Sequence, residues 1–99
     1  MMLRILDEAT AEFAEAIAHY EDIESGLGVR LRQEVQAAAS WIENHPELPN
    51  LRSNGYRRLN LKIFPFYVAC MIQAEIIWIL AIAHCARRPE YWIERRIPI

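Results

Sequence analysis

The sequence predicts a single α+β domain in which a helical hairpin packs on one face of a mostly antiparallel sheet. Apolar residues recur at three- and four-residue steps in the first half of the chain, which is typical of amphipathic helices. In the second half they alternate or run together, which is typical of strands. The 99 residues suffice for one domain, residues 1–99, and its own core uses most of the apolar side chains. We therefore expect function on the surface.

The first predicted elements are a strand and a helix. The apolar run over residues 2–6 predicts the strand, and Asp7 is expected to cap the following helix, because its carboxylate can accept bonds from free backbone N–H groups. The apolar stripe of this helix consists of Phe13, Ala16, Ile17, Tyr20 and Ile23. Its acidic side chains are expected on the solvent-exposed surface: Glu12, Glu15, Glu21 and Asp22.

A second helix follows a tight turn. The Ser-Gly-Leu-Gly sequence of residues 25–28 predicts the turn, because glycine adopts the left-handed conformation that ends helices at little steric cost. The apolar stripe of the second helix consists of Leu31, Val35, Ala38 and Ile42. Pro46 and Pro49 then end the helix, since proline cannot continue it. The two helices form an acidic hairpin.

Three further strands complete the predicted order, β-α-α-β-β-β. In the first, alternation places Leu59, Leu61 and Ile63 toward the helices and Arg58, Asn60 and Lys62 toward solvent. Arg57 then points toward the helices and is expected to pair with a carboxylate there. Residues 67–72 and 76–83 are apolar on both faces and flank a turn at residues 73–75. The last strand is expected to be central, with its outer face covered by the C-terminal tail or by another chain.

Charge divides the chain into two halves. Residues 1–50 contain 3 Arg against 10 Asp or Glu, a net of −7, whereas residues 51–99 contain 7 Arg and 1 Lys against 3 Glu, a net of +5. The basic half could therefore attract phosphate or an acidic partner although the whole chain carries −2.

Cysteine usage and hydropathy indicate a cytoplasmic, water-soluble protein. Cys70 and Cys85 lie in or beside apolar stretches and no secretory leader opens the chain, so we expect buried, reduced thiols, with a disulfide as the open alternative. Polar residues interrupt the apolar segment 63–86, which favours a hairpin over a membrane span. The cysteines and His84 lack a second Cys/His pair, so no metal site is expected.

Seven features occur in order along the chain: an N-terminal strand, a helical hairpin with Gly26-Leu27-Gly28, a His45-Pro46 exit, the Arg57-Arg58-Leu59 strand, the Phe64-Pro65-Phe66-Tyr67 corner, an apolar hairpin, and His84 followed by Arg87-Arg88-Pro89-Glu90-Tyr91-Trp92. In this order and spacing they resemble the RelE/ParE toxin superfamily over nearly the whole chain. Members are toxins of type II toxin–antitoxin systems, and the chain looks ParE-like.

The resemblance implies growth inhibition by the free toxin, a part in plasmid stabilization, and no small-molecule cofactor. ParE-like members are associated with inhibition of DNA gyrase, whereas RelE-like members are ribosome-dependent endoribonucleases that cut mRNA. A single lysine favours the ParE-like activity, because docking into ribosomal RNA depends on Lys and Arg contacts to phosphate. Both kinds are silenced by a cognate antitoxin. We expect it at the sheet face opposite the helical hairpin or in a groove beside the hairpin, because the isolated toxin should bury its apolar strand incompletely.

Each activity has its candidate residues. RNA cleavage without a metal needs a base, an acid and a cation around the phosphate, and the available side chains are Arg58, His84, Arg87 and Tyr91. Against cleavage, His84 is expected on the strand face of Ile76, Trp78, Leu80 and Ile82, where a structural histidine is typical. Whether the chain is an enzyme stays open.

A surface for binding the target is expected from residues that combine cations with aromatic rings: Arg58, Lys62, Arg87, Arg88, Tyr91, Trp92 and Arg95. Of the tryptophans, Trp41 and Trp78 have the spacing of core residues, whereas Trp92 is the one expected to be exposed. The open alternative is that Trp92 closes the edge of the core and the arginines solvate it.

Overall fold

The computed structural model describes residues 1–98, and Ile99, the last residue of the predicted domain, lies outside the described residues. The elements are β1 (Met2–Ile5), α1 (Asp7–Ile23), α2 (Leu27–Asn44), β2 (Asn50–Leu51), β3 (Arg57–Asn60), β4 (Phe66–Gln73) and β5 (Ile76–His84). The predicted α+β class and helical hairpin are confirmed. Strand β2 is an addition to the predicted order, because two residues are too few to show an alternation pattern.

The five strands form one sheet in the order β1-β5-β4-β3-β2. β1 runs parallel to β5, and all other neighbours are antiparallel. Ala74 and Glu75 join β4 to β5 with φ angles of 52° and 63°, and such a two-residue turn matches the right-handed twist of a hairpin. β5 is therefore an interior strand, as predicted, and lies between β1 and β4.

The sheet has a helix face and an outer face. Phe66 marks the helix face, because its ring centroid lies 6.1 Å from that of Tyr20 in α1. Tyr67, the next residue of β4, therefore marks the outer face. Arg58 stacks on the Tyr67 ring and lies on the outer face, so Arg57 lies on the helix face. The predicted alternation of β3 is confirmed at these two arginines.

A β-bulge in β5 changes which face its side chains occupy. The register between β4 and β5 shifts by one residue, which leaves Leu80 without a partner. Before the bulge, Trp78 lies opposite Met71 on the outer face; after it, His84 lies opposite Phe66 on the helix face. The predicted common face for Trp78 and His84 is therefore wrong. An uninterrupted apolar run carries no sign of a bulge, because residues on both faces are apolar.

Helix α1 begins directly at the end of β1. Leu6 occupies the cap position without a side-chain hydrogen bond, and its N–H donates to the carbonyl oxygen of Ile79 at 3.0 Å. Asp7 is the first helical residue, so its predicted role as the cap is wrong. The cap position is occupied by a residue that is still bound to the sheet.

Within residues 1–98, no helix combines the length and the apolar character needed to cross a membrane.

The turn between α1 and α2 depends on two glycines with different roles. Gly26 has a φ of 91°, as the turn prediction requires. Gly28 lies inside α2, and a Cβ there would be 2.4 Å from the carbonyl oxygen of Ile17, so glycine permits a close approach of the helices. Glu21, which was expected on the surface, accepts bonds from the N–H groups of both glycines at 2.8 and 2.9 Å. The bond from Gly26 lowers the pKa of Glu21.

The C-terminal segment of residues 85–98, here called the strap, covers part of the outer face. Trp92 of the strap packs edge-on against Tyr56 and Tyr67, with ring centroids 4.6 and 6.5 Å away. Residues 77–83 of β5 are all buried in the isolated chain. The C-terminal tail therefore covers the outer face of β5, which was one of the two predicted alternatives. The expectation that this strand stays incompletely buried is wrong.

The three tryptophans differ in outcome. Trp78 is 8% exposed, as expected for a core residue. Trp92 is 1% exposed because the strap folds back onto the sheet, so the alternative of a residue at the core edge applies and the expected exposure is wrong. Trp41, expected in the core, is 39% exposed because it borders an open groove between α2 and β3.

The cysteine predictions hold at one residue only. Cys70 is buried, and its burial raises the pKa of the thiol to about 11. Cys85 is exposed, against the prediction, because it lies in the turn that follows β5. Both thiols are free, so the alternative of a disulfide does not apply.

Ile63, which was predicted to point toward the helices, is also exposed, because β3 ends at Asn60 and its alternation ends there.

Candidate functional site

The predicted site residues divide between the two faces of the sheet. Arg58 lies on the outer face of β3, whereas His84 lies on the helix face at the end of β5. Arg87 and Tyr91 of the strap line the same cleft as His84. The structure therefore brings three of the four candidate ribonuclease residues together and places Arg58 on the opposite side of the sheet.

Arg58 presents a fixed guanidinium group. Its Cζ atom lies 3.8 Å from the ring centroid of Tyr67, and its Nε donates to the Asn60 Oδ1 at 2.9 Å. Stacking and this one hydrogen bond set the plane of the group, and its terminal nitrogens donate to no atom within residues 1–98. A guanidinium held in this way can bind a carboxylate or a phosphate through two parallel hydrogen bonds.

Glu12 of α1 is the centre of a second cluster, which joins the helix, the strap and β5. Its two carboxylate oxygens accept bonds from the two terminal nitrogens of Arg95, at 2.8 and 2.9 Å. The Tyr91 hydroxyl and the Ile82 N–H also donate to it, and Arg87 Nη1 lies 3.9 Å away. The Glu12 side chain is 14% exposed, so its predicted position on the solvated surface is wrong.

This cluster raises the pKa values of Tyr91 and Arg95. Burial, followed by the hydrogen bond to Glu12, raises the pKa of Tyr91 to about 12. The hydrogen bond to the same carboxylate raises the pKa of Arg95. Because the Tyr91 hydroxyl already donates to Glu12 and holds its proton tightly, it is poorly suited to protonate a leaving group near neutral pH.

His84 makes a local hydrogen bond at the entrance of a cleft of about 240 Å³. Its Nδ1 accepts a bond from the Ala86 N–H at 3.0 Å, which assigns the proton of the neutral ring to Nε2. Glu12 and Glu15 of α1 lie on the same cleft, together with His19. Glu12 is paired with Arg95, so the Glu15 carboxylate is the one that opposes the entry of a phosphodiester, since nucleic acid binding depends on positive charge.

The remaining candidates for target binding differ in exposure. Lys62 and Arg88 are exposed, whereas Trp92 is buried and donates from Nε1 to the Tyr67 hydroxyl at 2.9 Å. Arg95 is engaged by Glu12, and its Nη1 also donates to the Leu80 carbonyl at 3.0 Å. Of these four side chains, only Lys62 and Arg88 lie open to a partner.

A second carboxylate, Glu90, holds the strap at the side of β3. It accepts bonds from the Tyr56 hydroxyl at 2.8 Å and from Asn54 Nδ2 at 3.1 Å. Burial, followed by this hydrogen bond, raises the pKa of Tyr56 to about 12. The strap is therefore attached through two carboxylates, Glu90 of the strap itself and Glu12 of α1.

Arg57 points toward the helices as predicted, but its predicted partner is wrong. Its Nη1 donates to the carbonyl oxygens of Glu47 and Pro49, at 2.8 and 3.0 Å, and to no carboxylate. The loop between α2 and β2 passes over Arg57 and directs these backbone oxygens toward it. Arg57 therefore stabilises the loop.

An apolar groove, here called the α2–β3 groove, lies beside the helical hairpin and has a volume of about 440 Å³. Its lining residues are Glu34, Ala37, Ala38, Trp41, Leu59, Asn60, Leu61 and Lys62. Glu34 accepts bonds from the N–H groups of residues 62–64 at 3.0, 3.0 and 3.2 Å, so its charge is already compensated. Trp41 forms the exposed wall of the groove and stacks on His45, with ring centroids 4.9 Å apart.

Comparison with known proteins finds similarity to solved structures. No family model and no curated protein matches the sequence. Among solved structures, a chain of the chromosomal ParDE TA system from P. aeruginosa aligns with a TM-score of 0.66 at 21% identity, over 85% of this chain and 95% of that chain. This chain has the fold of that ParDE chain. The fold implied by the resemblance to the RelE/ParE superfamily is confirmed.

Sequence reasoning missed the acidic residues that organise both regions. Glu12 lies three residues after Ala9 and four before Ala16, and Glu34 lies three after Leu31 and four before Ala38. Both glutamates therefore occupy positions of an apolar stripe, where an acid needs a partner. That spacing could have identified them. Among residues 1–98 there is no group of three or more His, Cys, Asp or Glu side chains arranged to hold a metal ion.

Proposed function

We propose that this chain is the toxin of a type II toxin–antitoxin system and that it inhibits growth in the manner of ParE-like toxins, by acting on DNA gyrase in the cytoplasm. The observation that carries the proposal is the fold shared with a chain of the ParDE TA system over 85% of this chain. The ordered sequence features that resemble RelE/ParE toxins support the same assignment.

The arrangement of the candidate residues supports target binding over RNA cleavage. Arg58 is separated by the sheet from His84, so the two cannot meet at one phosphate. The Tyr91 hydroxyl donates to Glu12, and two carboxylates line the cleft at His84. Binding requires only that Arg58, Lys62 and Arg88 face a partner, which their exposed or half-buried positions allow.

The α2–β3 groove is the proposed contact for the antitoxin. The groove is lined mainly by apolar side chains, and Trp41 is 39% exposed on its wall. Residues 48–74, which include its β3 side, contain four cations and no Asp or Glu. This combination fits an amphipathic antitoxin segment that has an apolar face and acidic flanks. The groove lies beside the helical hairpin, at one of the two positions that the sequence suggested.

Pulsed expression tests the proposed function. The chain is induced with and without the short reading frame beside its gene, and growth, protein synthesis and plasmid supercoiling are followed separately. We expect growth arrest that the neighbouring product relieves, with altered supercoiling before any loss of intact messages. Translation arrest with cut messages would instead identify the RelE-like activity, and unimpaired growth would contradict both.

A charge placed in the groove tests the antitoxin contact. Trp41→Glu should weaken binding of the neighbouring product at least about tenfold, because an exposed aromatic residue is a typical determinant of affinity. Ala18→Glu, on the exposed side of α1, is the matched control and should bind as the unmodified chain does. Calorimetric titration gives both affinities. Equal affinity for both variants would place the antitoxin elsewhere.

A further inference from the structure

Glu12 occupies a place in the sheet that β1 leaves vacant. β1 ends at Ile5, and its last link to β5 is the bond from the Leu6 N–H to the Ile79 carbonyl. Beyond that point the Leu80 carbonyl and the Ile82 N–H have no strand beside them. Arg95 Nη1 donates to the Leu80 carbonyl oxygen at 3.0 Å, and Glu12 Oε1 accepts from the Ile82 N–H at 3.3 Å. The ion pair thus completes the edge of β5 at its bulge.

We propose that Glu12 is the positioning residue of the target-binding surface: by binding the bulge of β5 together with Arg95 and Tyr91, it holds the strap in the conformation that presents Arg87 and Arg88. This inference rests on the proposed function. Glu12 contacts no target itself, because its side chain is only 14% exposed. Its effect is exerted through the strap.

The contacts of the strap make Glu12 an attachment point for residues on both sides of Trp92. Three strap side chains converge on this one carboxylate: Arg95 through a fork, Tyr91 through its hydroxyl, and Arg87 at 3.9 Å. The Arg87 guanidinium also stacks on the Tyr91 ring, with its Cζ 3.8 Å from the centroid. Without the carboxylate, Arg95 would keep only its hydrogen bond to the Leu80 carbonyl oxygen, and the Tyr91 hydroxyl would lose its acceptor.

The strap also has attachments that do not involve Glu12, so removal of Glu12 should release only part of it. Glu90 binds Tyr56 and Asn54, and Trp92 is buried against two tyrosine rings. Partial release predicts that Trp92 stays buried while the amides of Ile82, Tyr91 and Arg95 become accessible to solvent.

Hydrogen exchange on the purified full chain tests the attachment. Glu12→Gln keeps the shape of the side chain and removes its charge, and the hydrogen-bonded amides of Ile82, Tyr91 and Arg95 should exchange at least about tenfold faster. Arg95→Lys keeps the charge without the fork and should give an intermediate increase. Glu15→Gln, one turn further along α1 and exposed, is the matched control and should leave these rates unchanged. Far-UV circular dichroism and the summed fluorescence of the three tryptophans should be unchanged in all three variants.

Growth inhibition by the same variants tests the positioning role. Glu12→Gln should lose most of it at equal protein levels, Arg95→Lys should lose part, and Glu15→Gln none, while binding to the α2–β3 groove partner is retained. Unchanged exchange in Glu12→Gln would overturn the attachment, and faster exchange with full growth inhibition would overturn the positioning role. An unmodified chain that does not inhibit growth would overturn the proposed function, and exchange would still decide whether Glu12 holds the strap.

Discussion

The structure assigns Trp92 one of the two roles that the sequence left open. The sequence allows an exposed residue that binds the target or a residue that closes the core edge, and the structure buries Trp92 to 1% exposure against Tyr56 and Tyr67. Replacing a buried tryptophan by alanine typically costs about 3–5 kcal/mol. That is a large part of the roughly 5–15 kcal/mol that stabilises a domain of this size. Trp92→Ala should therefore lower the melting temperature by at least about 12 °C.

The conservative variant separates packing from hydrogen bonding. Trp92→Phe keeps a ring but removes the Nε1–H that donates to the Tyr67 hydroxyl at 2.9 Å, and should cost about 1–3 kcal/mol. Ile93→Ala, at the adjacent and 37% exposed residue, should cost less than about 1 kcal/mol. Urea unfolding followed by far-UV circular dichroism measures all three variants. A Trp92→Ala protein with unchanged stability and lost growth inhibition would refute the buried role and restore direct target binding.

Two further predictions concern the adjacent arginines and the response to alkaline pH. Arg58→Ala should cost no more than about 1 kcal/mol and reduce growth inhibition, whereas Arg57→Ala should cost about 1–3 kcal/mol and leave the toxicity of the folded fraction intact; the opposite pattern in urea unfolding and growth assays would contradict the assigned faces. Because the pKa values of Tyr56 and Tyr91 are raised to about 12 from 10.0, the folded state binds protons more tightly than the unfolded state. The free energy of unfolding should therefore fall as pH rises from 10 toward 12. Urea titrations should show a smaller fall of the free energy of unfolding in Tyr56→Phe and Tyr91→Phe. A fall equal to that of the unmodified chain would contradict the assignment of this pH dependence to the two tyrosines.

The elements of the fold were predictable because each has its own apolar period. Three- and four-residue steps identified both helices, and the turn at residues 73–75 separated β4 from β5. Alternation also assigned Arg57 and Arg58 to opposite faces. The bulge at Leu80 was not predictable, because both faces of β5 are apolar and a one-residue shift changes nothing in the pattern. That shift moved His84 to the helix face and away from Arg58.

The candidate site was predictable only in part, because its organising contacts join residues that are distant in sequence. Glu12 and Arg95 are 83 residues apart, and nothing local indicates that the strap returns to α1. The burial of Trp92 stayed open for the same reason: arginines beside an aromatic residue are compatible with a solvated segment and with one that folds back onto the sheet. Trp41 has the spacing of a core residue, but no element covers its side of α2.

The central claim is tested most directly with the purified chain and its two possible targets side by side. One reaction contains gyrase, relaxed plasmid and ATP, and the other contains ribosomes that translate a defined message. We predict inhibited supercoiling or trapped DNA cleavage in the first reaction, relieved by the antitoxin and reduced in Arg58→Ala, with an intact message in the second. A cut message together with unaffected supercoiling would contradict the proposal.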